Sequence, residues 1–318
     1  MAKYLITGFS GFVSKHFLTY LNSLNVECEI IGIDIFAPDY DLKPFRNLLC
    51  RFVALNMLDS EKLYRVVYQF KPDFILHLAS VSSVGYSWKN PVESFSNNTN
   101  IFLNLVDSVR LSQIKCRILS VGSSEEYGNV TVKQLPLSES TGYDPVSPYA
   151  VARVSQELLS KVYVKGYGLD MILTRSFNHI GPGQKDIFVV SSFARQMVEI
   201  AKSGNEGTIQ TGDLSIIRDF VDVRDVVRAY YWLLQMGRTG ELYNICSGKG
   251  VQLNDLITIM SDILQINVKL ETNPDLVRPS DNKIIYGTYY KIADHIKWRP
   301  KIPLNQSIYD LIEWWLKQ

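Results

Sequence analysis

The sequence holds only four cysteines and four histidines, carries no excess of either charge, and contains no long apolar run. Cys28, Cys50, Cys116 and Cys246 are far apart with no CxxC pair, which argues against a disulfide framework or a thiolate metal site. They read as reduced thiols of a cytoplasmic protein, and no metal is expected. No segment approaches the roughly 18 apolar residues of a membrane span. Residues 1–3 lead straight into a strand-like segment, so neither a membrane association nor a signal peptide is expected. Lys and Arg number 33 against 32 Asp and Glu, a formal charge of +1, so the basic footprint of a nucleic-acid binder is missing too. What remains is ordinary globular material. The 318 residues are 46 % hydrophobic and 20 % charged, enough for one large domain or two coupled ones.

Short apolar runs alternate with helical patterns through the first half. Residues 3–7, 28–34, 51–55, 74–78 and 118–121 read as buried strands. Helical stretches are expected at 12–24, from Asp59-Ser60-Glu61 to Phe70, at 92–111 and at 148–163, with a sixth strand at 171–174. This alternation predicts an α/β protein with a doubly wound parallel sheet, a Rossmann fold. After Arg175 the texture changes, with a helix expected at 191–202 and a Gly-rich patch at 204–212. Residues 216–221, a helix at 223–234 and a strand at 242–245 are read as returning to the sheet. The expected division is therefore a dinucleotide-binding domain of 1–174 plus 216–245, and a smaller discontinuous lobe of 175–215 plus 246–318.

Gly8-Phe9-Ser10-Gly11-Phe12-Val13-Ser14 sits at the first strand–helix junction. Glycines there permit a tight turn and bring backbone N–H groups of the helix start toward a pyrophosphate. Asp34 ends the second strand, where a carboxylate accepts hydrogen bonds from an adenosine ribose and repels a 2′-phosphate. NAD(H) is therefore favoured, with NADP(H) still possible. Ile35, Asn56 and Met57 after the next turns, and Leu78, Ala79 and Ser80 after the fourth strand, are the expected adenine and ribose contacts. His77 reads as a packed strand residue.

Gly122-Ser123-Ser124-Glu125-Glu126-Tyr127-Gly128 follows the fifth strand, at the carboxyl edge where such sheets bind ligands. Tyr149 and Arg153, in Ser147-Pro148-Tyr149-Ala150-Val151-Ala152-Arg153, are spaced i,i+4 and share one helix face. A cation beside a phenol favours phenolate, which equips Tyr149 to exchange a proton with a sugar oxygen near neutral pH. Ser123 is placed to hold the same oxygen.

These motifs resemble those of the extended short-chain dehydrogenase/reductase superfamily. Phe177-Asn178-His179-Ile180-Gly181-Pro182-Gly183-Gln184, Arg218-Asp219-Phe220-Val221-Asp222-Val223-Arg224-Asp225 and Arg278-Pro279-Ser280 narrow the resemblance to its nucleotide-sugar branch. The chain is most similar there to GDP-4-keto-6-deoxymannose reductases and GDP-mannose 4,6-dehydratases. The resemblance implies Ser123, Tyr149 and the position of Arg153 as the catalytic set. It also implies Asn178, Arg218, Arg278 and Ser83 on a nucleotide diphosphate sugar, and a homodimer built on two paired helices. Glu125 matches the acid/base of the dehydratases, though similar reductases carry Glu there as well. His179 reads as a local hydrogen-bonding residue, and Tyr127, Trp88 and Tyr86 as packing residues. One departure stands out: the family has Lys where this chain has Arg153, a bulkier, planar cation. Three readings follow. They are a reductase acting at C4 of a 4-keto-6-deoxy sugar, a 4,6-dehydratase using Glu125, and a nucleotide-sugar-binding protein disabled by Arg153.

Overall fold

The computed structural model describes residues 1–204, 206–277 and 280–318. In chain order the first part runs β1 (Ala2–Thr7), α1 (Phe12–Ser23), β2 (Cys28–Asp34), β3 (Leu48–Ala54), α2 (Ser60–Phe70), β4 (Phe74–His77), α3 (Val84–Lys89), α4 (Pro91–Ser112) and β5 (Arg117–Ser123). There follow α5 (Pro148–Tyr167), β6 (Asp170–Ser176), β7 (Asn178–Ile180), α6 (Val189–Ser203), β8 (Glu206–Thr211), β9 (Ile217–Asp222), α7 (Val223–Met236) and β10 (Leu242–Ile245). The last part comprises β11 (Gly250–Gln252), α8 (Leu253–Leu264), β12 (Asn267–Thr272), β13 (Ile284–Ile285), α9 (Tyr290–Ile296) and α10 (Leu304–Leu316).

Seven parallel strands form the central sheet in the order β10-β6-β5-β4-β1-β2-β3. The winding direction reverses between β1 and β4, so the crevice at their carboxyl ends is the place where such a sheet receives a ligand. Side chains alternate across the sheet. Tyr4, Ile6, Leu76, Leu119 and Ile172 pack with α1, α7 and α9 on one face. Leu5, Ile33, Ile75, Ile118 and Met171 pack with α2, α4 and α5 on the other. Both faces are covered, which is why these strands read as continuous apolar runs.

The expectation that residues 216–221 return to this sheet is corrected. β9 lies in a separate four-stranded sheet, flanked by β11 and β13, with β7 also paired to it. The edge beside β6 is taken by β10, leaving β9 no place there. Its apolar residues divide accordingly, Phe220 facing a second core of α6, α8 and α10 and Val221 facing the central one. The Gly-rich patch also proves to be a strand, β8, paired in parallel with β12. The C-terminal segment is divided too: Ile292, Ile296 and Trp298 join the core of the central sheet, whereas Ile308 and Leu311 of α10 join the second core.

Candidate functional site

At the end of β1, Gly8 adopts φ 69°, a left-handed conformation, and a Cβ there would lie 2.8 Å from the Ala79 amide nitrogen. Gly8→Ala should therefore cost roughly 1–2 kcal/mol from backbone handedness alone, plus whatever the clash adds. Denaturant melts and dinucleotide titration check this, and a variant matching the parent in both would refute the close approach. Gly11 caps α1 with no side-chain acceptor, so the first-turn N–H groups, those of Phe12 and Val13 among them, are open to an anion. Asp34 pins the loop: its carboxylate accepts from the Ser10 amide at 3.0 Å and the Ile35 amide at 2.7 Å. Each oxygen keeps lone pairs for ribose hydroxyls. The Ser10 hydroxyl donates to the Phe36 carbonyl at 2.5 Å, tying the glycine turn to the loop after β2.

Across the crevice, Thr7 Oγ1 bonds His77 Nδ1 at 2.8 Å and accepts from the Ala79 amide at 3.2 Å. Burial, helped by the Arg153 charge, pulls His77 down to about 3, so it sits neutral in the strand. Leu78 and Ala79 are partly buried beside it. The Ser80 hydroxyl is buried without a protein partner among the described residues, which suits a cofactor group. Asn56 is exposed and its side chain accepts from the Leu58 amide at 2.9 Å. Met57, in contrast, buries its side chain in the core, so only its backbone is available to a ligand.

The proposed proton-transfer pair is brought together. Ser147 caps α5 by accepting from the Ala150 amide at 3.1 Å, and Pro148 opens the first turn, which places Tyr149 at the crevice end of the helix. One turn on, Arg153 Nε donates to the Tyr149 hydroxyl at 3.1 Å. Arg153 Nη1 donates to the Val121 carbonyl at 3.1 Å and to Gln156 Oε1 at 2.7 Å. Gln156 in turn donates to Ser120 Oγ at 2.9 Å and the Val121 carbonyl at 3.1 Å. The bulkier cation is thus seated in a fitted socket. Sequence reasoning passed over Gln156, although its place three residues beyond Arg153 puts it on the same helix face.

Ser123 ends β5 and its hydroxyl accepts from the Glu125 amide at 3.2 Å. The adjacent acidic residues part company. Glu125 is half-buried, and among the described residues its carboxylate makes no hydrogen bond or ion pair. Glu126 is fully buried and accepts from the Ser123 amide at 2.7 Å.

On the smaller sheet, Asn178 Nδ2 donates to the Asp219 carbonyl at 3.3 Å. The buried Asp219 carboxylate ties β9 to the following loops, accepting from the Ser247 amide and hydroxyl at 2.7 Å and the Gly248 amide at 2.9 Å. Burial nonetheless pushes it up to about 6. Arg218 is buried and committed: it pairs with Asp281 at 2.6 Å and donates to the Asn282 carbonyl at 2.7 Å. The Arg218 guanidinium is therefore already engaged by a carboxylate. Arg278 lies outside the described residues. A hollow of about 300 Å³ opens beside this ion pair, lined in part by Asp213, Ser280, Asp281 and Lys283. Ser83 spends its hydroxyl capping α3, accepting from the Tyr86 amide at 3.2 Å. Burial lowers His179 to about 4, and it bonds the Tyr230 hydroxyl at 3.3 Å, a local hydrogen-bonding role. Tyr127 is a core residue, whereas Tyr86 is exposed and donates to Glu93 at 2.7 Å.

This geometry has relatives. The family model described as GDP-mannose 4,6 dehydratase matches residues 5–311. The chain is 31 % identical over 310 residues to the GDP-6-deoxy-D-mannose reductase of Pseudomonas aeruginosa, covering 98 % of this chain and 96 % of that one. It is 26 % identical over 293 residues to a GDP-mannose 4,6-dehydratase of Yersinia enterocolitica, covering 83 % and 78 %. A solved structure of RMD from Pseudomonas aeruginosa complexed with NADPH superposes with a TM-score of 0.85 at 28 % identity, covering 100 % of this chain and 99 % of that one. The chain is a member of the GDP-mannose 4,6 dehydratase family, within the nucleotide-sugar branch of the extended short-chain dehydrogenases/reductases.

Proposed function

We propose that the protein reduces the C4 carbonyl of a nucleotide-linked 4-keto-6-deoxy sugar, with GDP as the nucleotide, using a nicotinamide dinucleotide. The observation that carries this reading is the buried Tyr149–Arg153 pair, with Arg153 Nε at 3.1 Å from the phenolic oxygen, at the carboxyl edge of the sheet. The glycine turn, Asp34 and the orphaned Ser80 hydroxyl suit the dinucleotide, which when bound supplies the hydride. Ser123 orients the carbonyl oxygen, Tyr149 delivers its proton, and Arg153 stabilises the phenolate left behind. The similar Pseudomonas reductase supports this assignment.

The unpaired Glu125 favours a second reading, in which it removes the C5 proton and helps expel the C6 hydroxyl of GDP-mannose. Incubation with GDP-mannose alone, and separately with GDP-4-keto-6-deoxymannose plus NADH or NADPH, distinguishes the readings. Reduced-cofactor consumption with the keto sugar alone is expected. A 4-keto product from GDP-mannose without added reductant would overturn the reductase reading. Tight binding of both nucleotide sugars with turnover of neither would mean that Arg153 has disabled catalysis.

Asp34 favours NAD(H), since its carboxylate repels a 2′-phosphate, while the NADPH bound to the Pseudomonas structure supports NADP(H). Comparing kcat/KM for the two reduced cofactors decides between them. A homodimer is proposed from the apolar stripe of Val151, Leu158 and Val162, which lies exposed along α5 beside α4. The four unpaired cysteines fit a cytoplasmic setting, and no helix among the described residues is long and apolar enough to cross a membrane.

A further inference from the structure

Directly behind the Ser123 turn lies a cluster of charges that the reaction outlined above leaves unused. Glu126 and Arg175 are essentially inaccessible, and Glu157 is nearly so. Arg175 Nε lies 2.9 Å from Glu157 Oε2 but 3.7 Å from Glu126 Oε2. Its Nη1 is spent on the Thr141 carbonyl at 3.0 Å, and its plane is sandwiched between the rings of Tyr127 and Tyr143 at 4.4 and 4.8 Å. Glu157 also accepts from Lys161 at 2.6 Å and from the Tyr143 hydroxyl at 2.7 Å. Glu157 thus holds all the close cationic partners. Glu126 is left with one firm contact, the Ser123 amide at 2.7 Å.

We propose that Glu126 is a positioning residue: its carboxyl group links the Ser123 amide to the Glu157–Arg175 pair and so sets where the Ser123 hydroxyl points. This rests on the reading of Ser123 as the group that orients the sugar carbonyl. A helix-capping contact of this kind needs only an exposed Glu or Gln. A fully buried one, braced against a second carboxylate, does more. A single guanidinium cannot serve two buried carboxylates equally, and the one denied a charge-assisted hydrogen bond keeps its proton. Glu126 Oε1 accepts from Ser123, while Oε2 is buried with no hydrogen-bond partner among the described residues; on this proposal Oε2 carries the proton, so that a neutral acid bridges toward Glu157. Burial first, then the Glu157 charge, raises Glu126 well above the ordinary carboxylate range. The groups facing it are Glu157 and Lys161 from α5, Arg175 from β6, Tyr127 of its own turn and Tyr143 of the loop that follows.

Two substitutions test the bridge. Glu126→Gln keeps an acceptor for Ser123 and a donor for Glu157, whereas Glu126→Met keeps the length and removes both. Misplacement of an orienting group by about 1 Å costs on the order of 10²-fold. The Met variant should accordingly lose tenfold or more in kcat, with the KM for nucleotide sugar and the affinity for dinucleotide little changed. The Gln variant should restore kcat to within a few-fold. Equal kcat in the Met variant and the parent would overturn the proposal, as would a Gln variant as impaired as the Met one.

A second measurement needs no turnover. The unfolded Glu126 ionises above about 4.5 while the folded one stays protonated, so the parent loses stability as pH rises beyond that point. Glutamine has no such linkage. The melting temperature of Glu126→Gln should gain on the parent between pH 5 and pH 8. A difference that is constant over that range would mean that Glu126 is ionised, and would sink the neutral bridge whether or not the reductase reading stands.

Discussion

If Tyr149 is the proton donor as proposed, Tyr149→Phe should lower kcat by about 10²–10⁴-fold, the usual worth of a positioned general acid, and leave dinucleotide affinity intact. The phenolic hydroxyl is the only part of Tyr149 removed, and the ring still fills its buried place on α5. Arg153 Nε loses its acceptor at 3.1 Å, so a stability loss of about 1–3 kcal/mol accompanies the kinetic one. Steady-state kinetics, cofactor fluorescence titration and a thermal melt on one preparation separate these effects. Turnover by the Phe variant at parental rates would remove Tyr149 from proton transfer. Loss of dinucleotide affinity equal to the loss of rate would make it a binding residue instead.

Arg175→Leu should destabilise the fold by about 3–5 kcal/mol, the cost of leaving a buried charge without its partner. Glu157 keeps Lys161, but that lysine is more than one-third exposed (38 %) and cannot replace a guanidinium enclosed by two rings. Burial pushes Glu157 up, yet the hydrogen bond from Glu126 and the charge of Arg175 overcome it and hold the group at about 2. A depressed carboxylate contributes its stability above the unfolded value of 4.5, and loses it as pH falls toward 2. The gap between variant and parent should therefore be full at pH 7 and shrink as pH is lowered below about 4.5. Urea melts at pH 7 and pH 4 read it directly. A gap independent of pH would show that packing around the guanidinium, not pairing, sets the loss. The double variant Arg175→Leu/Glu157→Leu should recover much of the difference, since it leaves no orphaned charge.

The central sheet was legible because its strands are buried on both faces. Residues 28–34 read as the second strand and are β2 as observed. The two smaller sheets were less legible, and for different reasons. β8 carries Gly207 and exposed polar positions and buries only Ile209 and Thr211, so its apolar signal is too thin to see beside its glycines. For β9 the strand itself was visible but its partners were not, because apolar periodicity marks a strand without naming its neighbour. The candidate site divides in the same way. Tyr149 and Arg153 were readable from their i,i+4 spacing, and Asp34 from its place at the end of β2. Glu125 and Glu126, however, are adjacent and chemically identical. Only burial tells the free acid from the bridging one, and burial there depends on Arg175 and Glu157 arriving from other elements. Arg218 shows the same limit: its position was readable, but its partner Asp281 comes from a distant loop.

The divided C-terminal segment bears on how the chain is made. Trp298, one of the largest buried side chains, donates to the Asp225 carbonyl at 3.0 Å and closes the core over α7. Asp225 waits as well for the amides of Lys301 and Ile302, which reach it at 2.6 and 2.8 Å. During synthesis the seven-stranded sheet is complete once Ile245 has left the ribosome, yet the apolar flank of α7 stays wet until α9 and Trp298 follow. Until then that apolar flank is the kind of exposed surface through which incomplete chains aggregate or are held by chaperones.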